Sequence, residues 1–283
     1  MSVKSPVSIA PPAISAPVMP VRIKRELGVI IGLWQRDMMR FRRDTGRWVG
    51  LVIQPMLIWG LLGAGMRGSL TLAAGGKASS PFVFYLPGAI AMIGLFTSIF
   101  ATMGVIEDRQ HGFLQQVLVA PASRAAMIIG KALGVLSVAL VQLVLTIPAF
   151  ILAGIDLASV AWPLLLVVFV FGVLAVTALS FCLAWVVKTT HAYHALMGVF
   201  LIPLWLVSGA LFPLPAEGFI RWVNYANPLA YMVDGMRHAC AGGLYAGGAW
   251  TPLTSVLALV GATIVGLTLA SVIARRPITA GGG

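Results

Sequence analysis

The sequence predicts an all-α polytopic membrane protein with six transmembrane helices. Of its 283 residues, 59% are apolar and only 10% are charged, whereas soluble proteins carry about 25% charged residues. Six apolar segments reach the roughly 20 residues that a helix needs to cross the hydrocarbon core. The charged residues lie in the gaps between those segments, so the net charge of +11 needs no nucleic-acid partner. These observations exclude an ordinary water-soluble globule.

The first 47 residues divide into two parts. Residues 1–21 are rich in proline and predict a disordered tail. In residues 22–47, apolar side chains recur at steps of three and four, with arginines on the opposite face, which predicts an amphipathic helix on the membrane surface. Its arginines would lie over anionic lipid headgroups. The expected anchor residues are Trp34, Arg36, Arg40, Arg43 and Arg47.

This surface helix has two possible roles. It either anchors the chain alone, or it anchors the chain and also docks a cytoplasmic subunit. Basic amphipathic helices commonly serve the first role, and the sequence leaves both open.

The transmembrane domain is predicted to extend over residues 48–274, and residues 275–283 form a short tail. The six spans are residues 48–66, 82–106, 127–153, 160–187, 195–214 and 252–274. If the N-terminus is cytoplasmic, 15 Lys and Arg residues fall on the cytoplasmic side and four on the other. The inside-positive bias therefore places both termini in the cytoplasm. Lys131, just inside the third span, is expected to snorkel toward the cytoplasm.

The spans contain no Asp, Glu, His or Arg at mid-depth. Ion-coupled carriers keep such residues within their spans, and intramembrane acid/base catalysis needs paired carboxylates or metal ligands there. The chain also lacks a phosphate loop, because Gly76-Lys77 is followed by Ala78 and Gly130-Lys131 by Ala132. We therefore expect no cofactor in this chain. If it moves a substrate, the energy comes from a partner.

The loop at residues 107–124 is the most informative connection. Glu107 and Asp108 suit the first turn of a short helix, Pro121 ends that helix, and Ser123 can cap the next one. An apolar stripe lies between them, too short to span the bilayer, so it either lies on the membrane or inserts into a protein groove. The stripe consists of Phe113, Leu114, Val117 and Leu118.

A short connection at residues 188–194 holds His191 and His194. A metal site would need a third or fourth ligand, so a solvated cytoplasmic turn is the prediction.

The last long loop, residues 213–251, is predicted to lie outside and to hold two short helices. The first would place Trp222 at headgroup depth. The second begins with Asn227 as its cap and Pro228 at its first position, and Asp234 and Arg237 form an i, i+3 pair. These helices either dip back toward the bilayer or merely cover the bundle. The residues of interest are Trp222, Asn227, Pro228, Tyr231, Asp234 and Arg237.

The string from Glu107 to Pro121, followed by Arg124 and Gly130-Lys131, resembles the stretch after the second span in ABC-type export permeases. These are permeases of the daunorubicin, nodulation-factor and polysaccharide kind, and the resemblance covers nearly everything after residue 21. It implies that the loop is a coupling loop seated in a cleft of an ATPase subunit. The coupling residues would be Glu107, Asp108, His111, Gly112, Phe113, Leu114, Val117, Leu118, Pro121 and Arg124.

The resemblance further implies the permease subunit of an ATP-driven exporter in the inner membrane of a bacterium. The chain would work as a homodimer beside two copies of an ABC ATPase, which bind ATP and magnesium. The two outer helices would close the exit. The exported substrate would be a lipid-linked glycan or an amphipathic small molecule.

Two other classes remain for comparison. A membrane-embedded enzyme or assembly factor without an ATPase would need a polar reaction centre, for which His191, His194 and Glu107 are the best available group. A passive channel is disfavoured because no charged ring lines any span.

Overall fold

The structure is a computed structural model that describes residues 19–66, 80–110, 123–214, 217–243, 245 and 247–274. Over these ranges the chain is almost entirely helical and contains no strand, which confirms the predicted fold class. The helices are α1 (Met19–Arg43), α2 (Thr45–Gly65), α3 (Pro81–Gln110), α4 (Arg124–Leu145), α5 (Ile147–Leu152), α6 (Trp162–Val186), α7 (Thr190–Ala210), α8 (Phe219–Tyr225), α9 (Pro228–Cys240) and α10 (Pro252–Ile273).

Five helical segments are long and apolar enough to cross a membrane. They are α3, α4 together with α5, α6, α7 and α10. Within α2, the apolar helix Val49–Gly65 is shorter than these five. The polytopic membrane architecture is therefore confirmed, with α2 as the shortest apolar member of the predicted set.

The first helix differs from its predicted bounds at both ends. It begins at Met19 with Pro20 in its first turn, where a missing backbone N–H costs nothing. It ends at Arg43, and a break at Asp44 starts α2, so Arg47 belongs to α2 rather than to the surface helix. Residues 1–18 of the predicted tail lie outside the described residues.

The helix α7 begins earlier than the sequence predicts. The Thr189 side chain caps it by accepting a hydrogen bond from the Ala192 N–H at 3.1 Å. As a result, His191 and His194 lie in the first turns of α7 rather than in a connecting turn, and both are exposed. The actual connection between α6 and α7 is confined to residues 187–189.

The core is centred on α3, which packs against α2, α6 and α9. Of its most apolar window, 78% is buried, compared with 17% for α10 at the periphery. Two glycines allow the helices of this core to cross closely. Gly94 of α3 faces Val173 of α6, and Gly172 of α6 faces Met232 of α9. A helix of 30 residues is about 45 Å long, so the two ends of α3 define two well-separated ends of the bundle.

Candidate functional site

A buried carboxylate lies at the end of α3 where the 107–124 loop begins. The Asp108 Oδ2 atom accepts hydrogen bonds from Arg36 Nη2 of α1 at 2.6 Å and from Lys131 Nζ of α4 at 3.0 Å. Asp108 and Lys131 are only 9% and 5% exposed. One acidic side chain thus joins three helices that are far apart in the sequence.

This arrangement corrects two sequence expectations. Glu107 and Asp108 lie in the last turn of α3 rather than the first turn of a new helix, so the helix dipole disfavours them there. The positive charges of Arg36, Arg40 and Lys131 offset that cost. Lys131 does not snorkel outward, because Asp108 offers a closer partner inside the bundle.

The two ends of the 107–124 loop, at residues 107–110 and 123–124, are called its first and second roots. The second root is also hydrogen-bonded to α1. The Glu26 carboxylate accepts hydrogen bonds from Ser123 Oγ at 2.6 Å and from the Ser123 N–H at 3.2 Å. Ser123 caps α4 as predicted, with its Oγ accepting from the Ala126 N–H at 3.1 Å. At the first root, Arg40 Nη2 donates to Glu107 Oε2 at 2.9 Å on a more exposed surface.

The seven residues that make these contacts are called the loop-root cluster below. They are Glu26, Arg36, Arg40, Glu107, Asp108, Ser123 and Lys131.

A glycine groove on α4 allows α1 to approach this closely. A Cβ atom at Gly130 would lie 3.0 Å from the Ile30 carbonyl oxygen, and one at Gly134 would lie 3.2 Å from the Asp37 Cβ atom. Two small residues four apart are a known signal for close helix packing in membranes. The spacing of Gly130 and Gly134 was therefore a usable sequence signal that the prediction missed.

Other hydrogen bonds join the two roots to the remaining elements at this end of the bundle. Arg109 donates to the Val187 carbonyl and Gln110 to the Lys188 carbonyl, both in the connection before α7. On the other side, Arg124 Nη1 donates to the Ala274 carbonyl after α10 at 2.9 Å. The loop roots thus contact α1, the 187–189 connection and the end of the last helix.

The structure describes only some of the predicted coupling residues. Glu107, Asp108 and Arg124 are at the roots as described above. The remaining members of that set lie outside the described residues; they are His111, Gly112, Phe113, Leu114, Val117, Leu118 and Pro121.

The predicted anchor residues take different positions along α1 and α2. Arg36 and Arg40 point toward the bundle as ion-pair partners, whereas Arg43 is exposed. Trp34 is 37% exposed and donates its Nε1–H to Ser137 Oγ at 2.9 Å. The Arg47 side chain is not among the described groups.

A cavity of about 100 Å³ adjoins the loop-root cluster, between α1, α2, α3 and α4. Asp37, Arg40 and Lys131 line its charged side, and apolar side chains such as Leu51 and Phe100 line the other. The cavity therefore offers a polar wall and an apolar wall to whatever enters it.

The opposite end of the bundle is organised by α9. Every residue from Leu229 to Cys240 is buried, so this helix is enclosed by protein rather than lying on the surface. Asn227 caps it as predicted, with Oδ1 accepting from the Leu229 N–H at 3.1 Å and Pro228 in the first turn. Burial raises the pKa of the Cys240 thiol to about 12.

Three polar residues of α9 hold its surroundings through backbone groups. The Asp234 carboxylate accepts from the N–H groups of Ala249 at 3.0 Å and Trp250 at 3.1 Å. His238 Nδ1 accepts from the Tyr245 N–H at 2.7 Å, so Nε2 carries the proton toward the Trp250 carbonyl at 2.8 Å. Arg237 is the third, and together Asp234, Arg237 and His238 are called the α9 clamp.

The predicted Asp234–Arg237 pair is not formed as a direct contact. Arg237 instead donates to the Gly209 carbonyl of α7 and lies over the Phe84 ring, 4.2 Å from its centroid. Burial lowers the pKa of the Arg237 guanidinium, an effect opposed by neighbours that include Tyr245 and Asp234. The two side chains are drawn apart because each finds a buried backbone partner on a different element.

The remaining outer residues are aromatic. Tyr231 stacks on Trp250 with ring centroids 4.3 Å apart, and the Arg221 guanidinium lies 4.8 Å from the Trp250 ring. Trp222 of α8 is 74% exposed, and its position at headgroup depth stays a prediction.

Within the described ranges, no three His, Cys, Asp or Glu side chains come together as a potential metal site.

Comparison with known proteins places these features in a family. The family model for the ABC-2 type transporter matches residues 29–240, three quarters of the chain. The match begins within α1 and ends at the last residue of α9, so it includes the loop-root cluster except Glu26, and the whole α9 clamp.

The individual relatives share about a quarter of their residues with this chain. The chain is 24% identical over 238 residues to the "Putative transport permease ycf38" of Cyanophora paradoxa, covering 83% of this chain and 79% of that protein. It is 25% identical over 231 residues to the protein of the same name from Porphyra purpurea, with 81% and 77% covered. By the extent of the family match, this chain belongs to the ABC-2 type transporter family, as a membrane permease.

Proposed function

We propose that this chain is the permease subunit of an ATP-driven exporter and that the 107–124 loop couples it to a separate ABC ATPase. The observation that carries the proposal is the convergence at the loop roots. Asp108 joins α3 to α1 and α4, and Ser123 joins the start of α4 to Glu26 of α1. A loop fastened in this way passes any displacement to several helices at once.

The chemistry of the cluster suits that task. Lys131 and Asp108 are buried, so separating them would leave an uncompensated charge in a low-dielectric environment. The pair is therefore expected to move as a unit. A pull on the loop would shift α1 and α4 together, with α1 kept in the groove formed by Gly130 and Gly134.

In this proposal the loop-root cluster faces the cytoplasm together with both termini, as the inside-positive bias requires. Two copies of the chain work beside two ATPase subunits in a bacterial inner membrane. The substrate is a lipid-linked glycan or an amphipathic small molecule.

Co-purification with a Walker-motif ATPase tests the partner. We expect Leu114→Asp to abolish binding, because it places a charge in the apolar stripe of the loop. The matched control is Gln115→Asp, which adds the same charge one residue away and off the stripe; it should retain binding.

The same assay distinguishes the alternative. If no Walker-motif ATPase is retained by the unmodified chain, or if both variants behave like it in binding and in transport, the coupling assignment is wrong. The first of these results would favour an enzyme or assembly factor that works without an ATPase.

A further inference from the structure

A second cavity adjoins the one beside the loop-root cluster. It is a groove of about 690 Å³ along one face of α2, and it shares Leu51 and Phe100 with the first cavity, whose volume is about 100 Å³. Its other lining residues all belong to α2, between Gly46 and Ile58. The charged cavity and the groove therefore meet at two common side chains and can hold one elongated molecule.

The groove has the length and surface of an acyl-chain site. At its start, Gly46 and Gly50 leave open space where larger side chains would lie. Ile53 and Leu57 are 50% and 60% exposed and supply an apolar wall. From Gly46 to Ile58 the helix rises by about 18 Å. One leaflet has a similar depth, since the whole hydrocarbon core is about 30 Å thick.

The charged cavity has donors for a phosphate group. Arg40 and Lys131 both line it. Arg40 Nη2 donates to Glu107 and Lys131 Nζ donates to Asp108, but a guanidinium and an ammonium each carry further N–H donors. A phosphodiester is an anion that only accepts hydrogen bonds, so it suits these two side chains.

Asp37 adds an acceptor of the opposite charge to the same cavity. It precedes Arg40 by about one turn, so the two side chains are neighbours on one face of α1. The Asp37 Oδ1 atom lies 3.5 Å from Arg36 Nε, whereas Arg36 Nη2 lies 2.6 Å from Asp108 Oδ2. Arg36 therefore bonds Asp108 more closely than Asp37, and the Asp37 carboxylate can accept hydrogen bonds from a ligand.

An exposed amide lies where the groove leaves the charged cavity. Gln54 is about one turn beyond the shared residue Leu51 and is exposed on the groove. A polar group in a membrane helix needs a hydrogen-bond partner, because hydrocarbon supplies none. The ester carbonyls of a phospholipid are acceptors that lie between its headgroup and its acyl chains. The order of charged cavity, amide and apolar groove thus matches the order of groups along a phospholipid.

We infer that this site binds one phospholipid of the adjacent leaflet, with a headgroup that carries both a phosphate and a primary amine, as in phosphatidylethanolamine. The phosphate lies against Arg40 and Lys131, and the amine donates to Asp37. The trimethylated amine of phosphatidylcholine has no N–H to donate there. Phosphatidylglycerol has no amine, so its anionic headgroup would leave the Asp37 carboxylate without a cation.

Such a lipid would join the surface helix to the bundle. The helix α1 packs mainly on α4 and makes few contacts with α2. A headgroup in the cavity would bridge α1 and α2, and an acyl chain would follow α2 along the groove. The inference goes beyond the proposed function, because it concerns a constituent of the bilayer rather than an exported substrate and needs no ATPase.

Native mass spectrometry of the full-length chain in detergent tests the inference. Phosphatidylethanolamine, phosphatidylcholine or phosphatidylglycerol with the same acyl chains is added, and the Kd of the first lipid adduct is measured. We expect the Kd of phosphatidylethanolamine to be roughly tenfold lower than that of the other two, as one hydrogen bond to a charged group allows. N-methylated phosphatidylethanolamines should give intermediate values, because each methyl group removes one N–H donor.

Substitution of Asp37 tests the headgroup contact. Asp37→Asn should remove the preference for phosphatidylethanolamine over phosphatidylcholine, because the carboxylate that accepts from the amine is gone. The matched control is Asp156→Asn, which changes an exposed carboxylate at the opposite end of the bundle and should keep the preference.

Substitution of a groove glycine tests the acyl-chain contact. Gly50→Leu should raise the Kd of every lipid by roughly tenfold, because its side chain occupies space that an apolar chain would fill. Gly60→Leu is the matched control on the same helix. A Cβ atom meets nothing within 4 Å at either glycine, but Gly60 does not line the groove, so its variant should bind like the parent.

Four results would overturn the inference. Equal Kd values for phosphatidylethanolamine and phosphatidylcholine would mean that the site does not recognise an amine, and tighter binding of phosphatidylglycerol would mean that the cations alone set the affinity. Unchanged binding by Gly50→Leu would place the lipid elsewhere on the apolar surface. The absence of any adduct would mean that the cavity holds only water. If Asp37→Asn does not fold, the methylated lipids and Gly50→Leu still decide the question.

Discussion

The two ends of the bundle are held together by different kinds of bond. At the loop-root cluster, charged side chains from α1, α3 and α4 bond to one another, as in the Arg36–Asp108–Lys131 contact. At the α9 clamp, side chains bond to backbone groups, as when Asp234 accepts from two successive N–H groups.

The two kinds of bond tolerate movement to different degrees. Long side chains such as those of Arg and Lys can follow a moving carboxylate by changing rotamer, so the loop-root cluster can shift and stay joined. A backbone N–H or carbonyl has a fixed direction, and its hydrogen bond weakens steeply when the angle changes. The α9 end must therefore either keep its geometry or break its bonds, whereas the loop-root end can transmit small displacements.

The substitution expected to destabilise the loop-root end most is Asp108→Asn. The change leaves Lys131 buried without a counter-charge, a situation that costs about 3–5 kcal/mol. Thermal unfolding in detergent should show a large fall in Tm. The double change Asp108→Asn with Lys131→Met should recover most of it, because no charge then remains buried at that point.

The neighbouring pair gives the control for this prediction. Glu107→Gln removes the partner of Arg40 on a more exposed surface, where an ion pair is worth up to about 1 kcal/mol. An equal loss of Tm for Glu107→Gln and Asp108→Asn would contradict the importance of burial at this site.

The opposite end can be destabilised by a steric clash with its backbone. A Cβ atom added by Gly88→Ala would lie 2.7 Å from the Ala210 carbonyl oxygen, which cannot move aside as a side chain would. We expect a loss of about 1–3 kcal/mol, typical of overpacking. Gly60→Ala is the comparison, since a Cβ atom there meets nothing within 4 Å, and its Tm should stay near that of the parent.

The smallest expected effect concerns the outer surface of α1. Trp34→Phe removes the hydrogen bond to Ser137 but keeps an aromatic side chain at the membrane surface. The loss should be about 1 kcal/mol or less in the unfolding assay. A larger loss would mean that the Trp34–Ser137 bond fastens α1 as strongly as the ion pairs do.

The features that depend on nearby residues could be predicted from the sequence. Ser123 and Asn227 cap their helices as expected, because a cap involves residues only two or three positions apart. The membrane architecture followed from the long apolar segments, and the family match includes both ends of the bundle.

The features that depend on distant residues could not be predicted in the same way. Asp108 and Lys131 are separated by the whole loop, so neither residue indicates its partner. The burial of α9 depends mainly on α6 and α10, which both pack against it and are separate from it in the sequence. The donors that bond the Leu204 and Val207 carbonyls of α7 come from elements later in the chain, and no local pattern predicts them.

The groove on α4 has a consequence for the order in which the protein assembles. The first helix, α1, leaves the ribosome before the groove formed by Gly130 and Gly134 has been synthesised. Until then α1 can reach the bundle only through the ion pairs of Arg36 and Arg40 with α3, and Asp108 has no lysine partner. The synthesis of α4 adds the groove and the Lys131 contact, so α1 is fully packed only after α4 has been inserted. A chain that stalls before that point keeps its first helix only partly packed, which distinguishes an unfinished protein from a finished one.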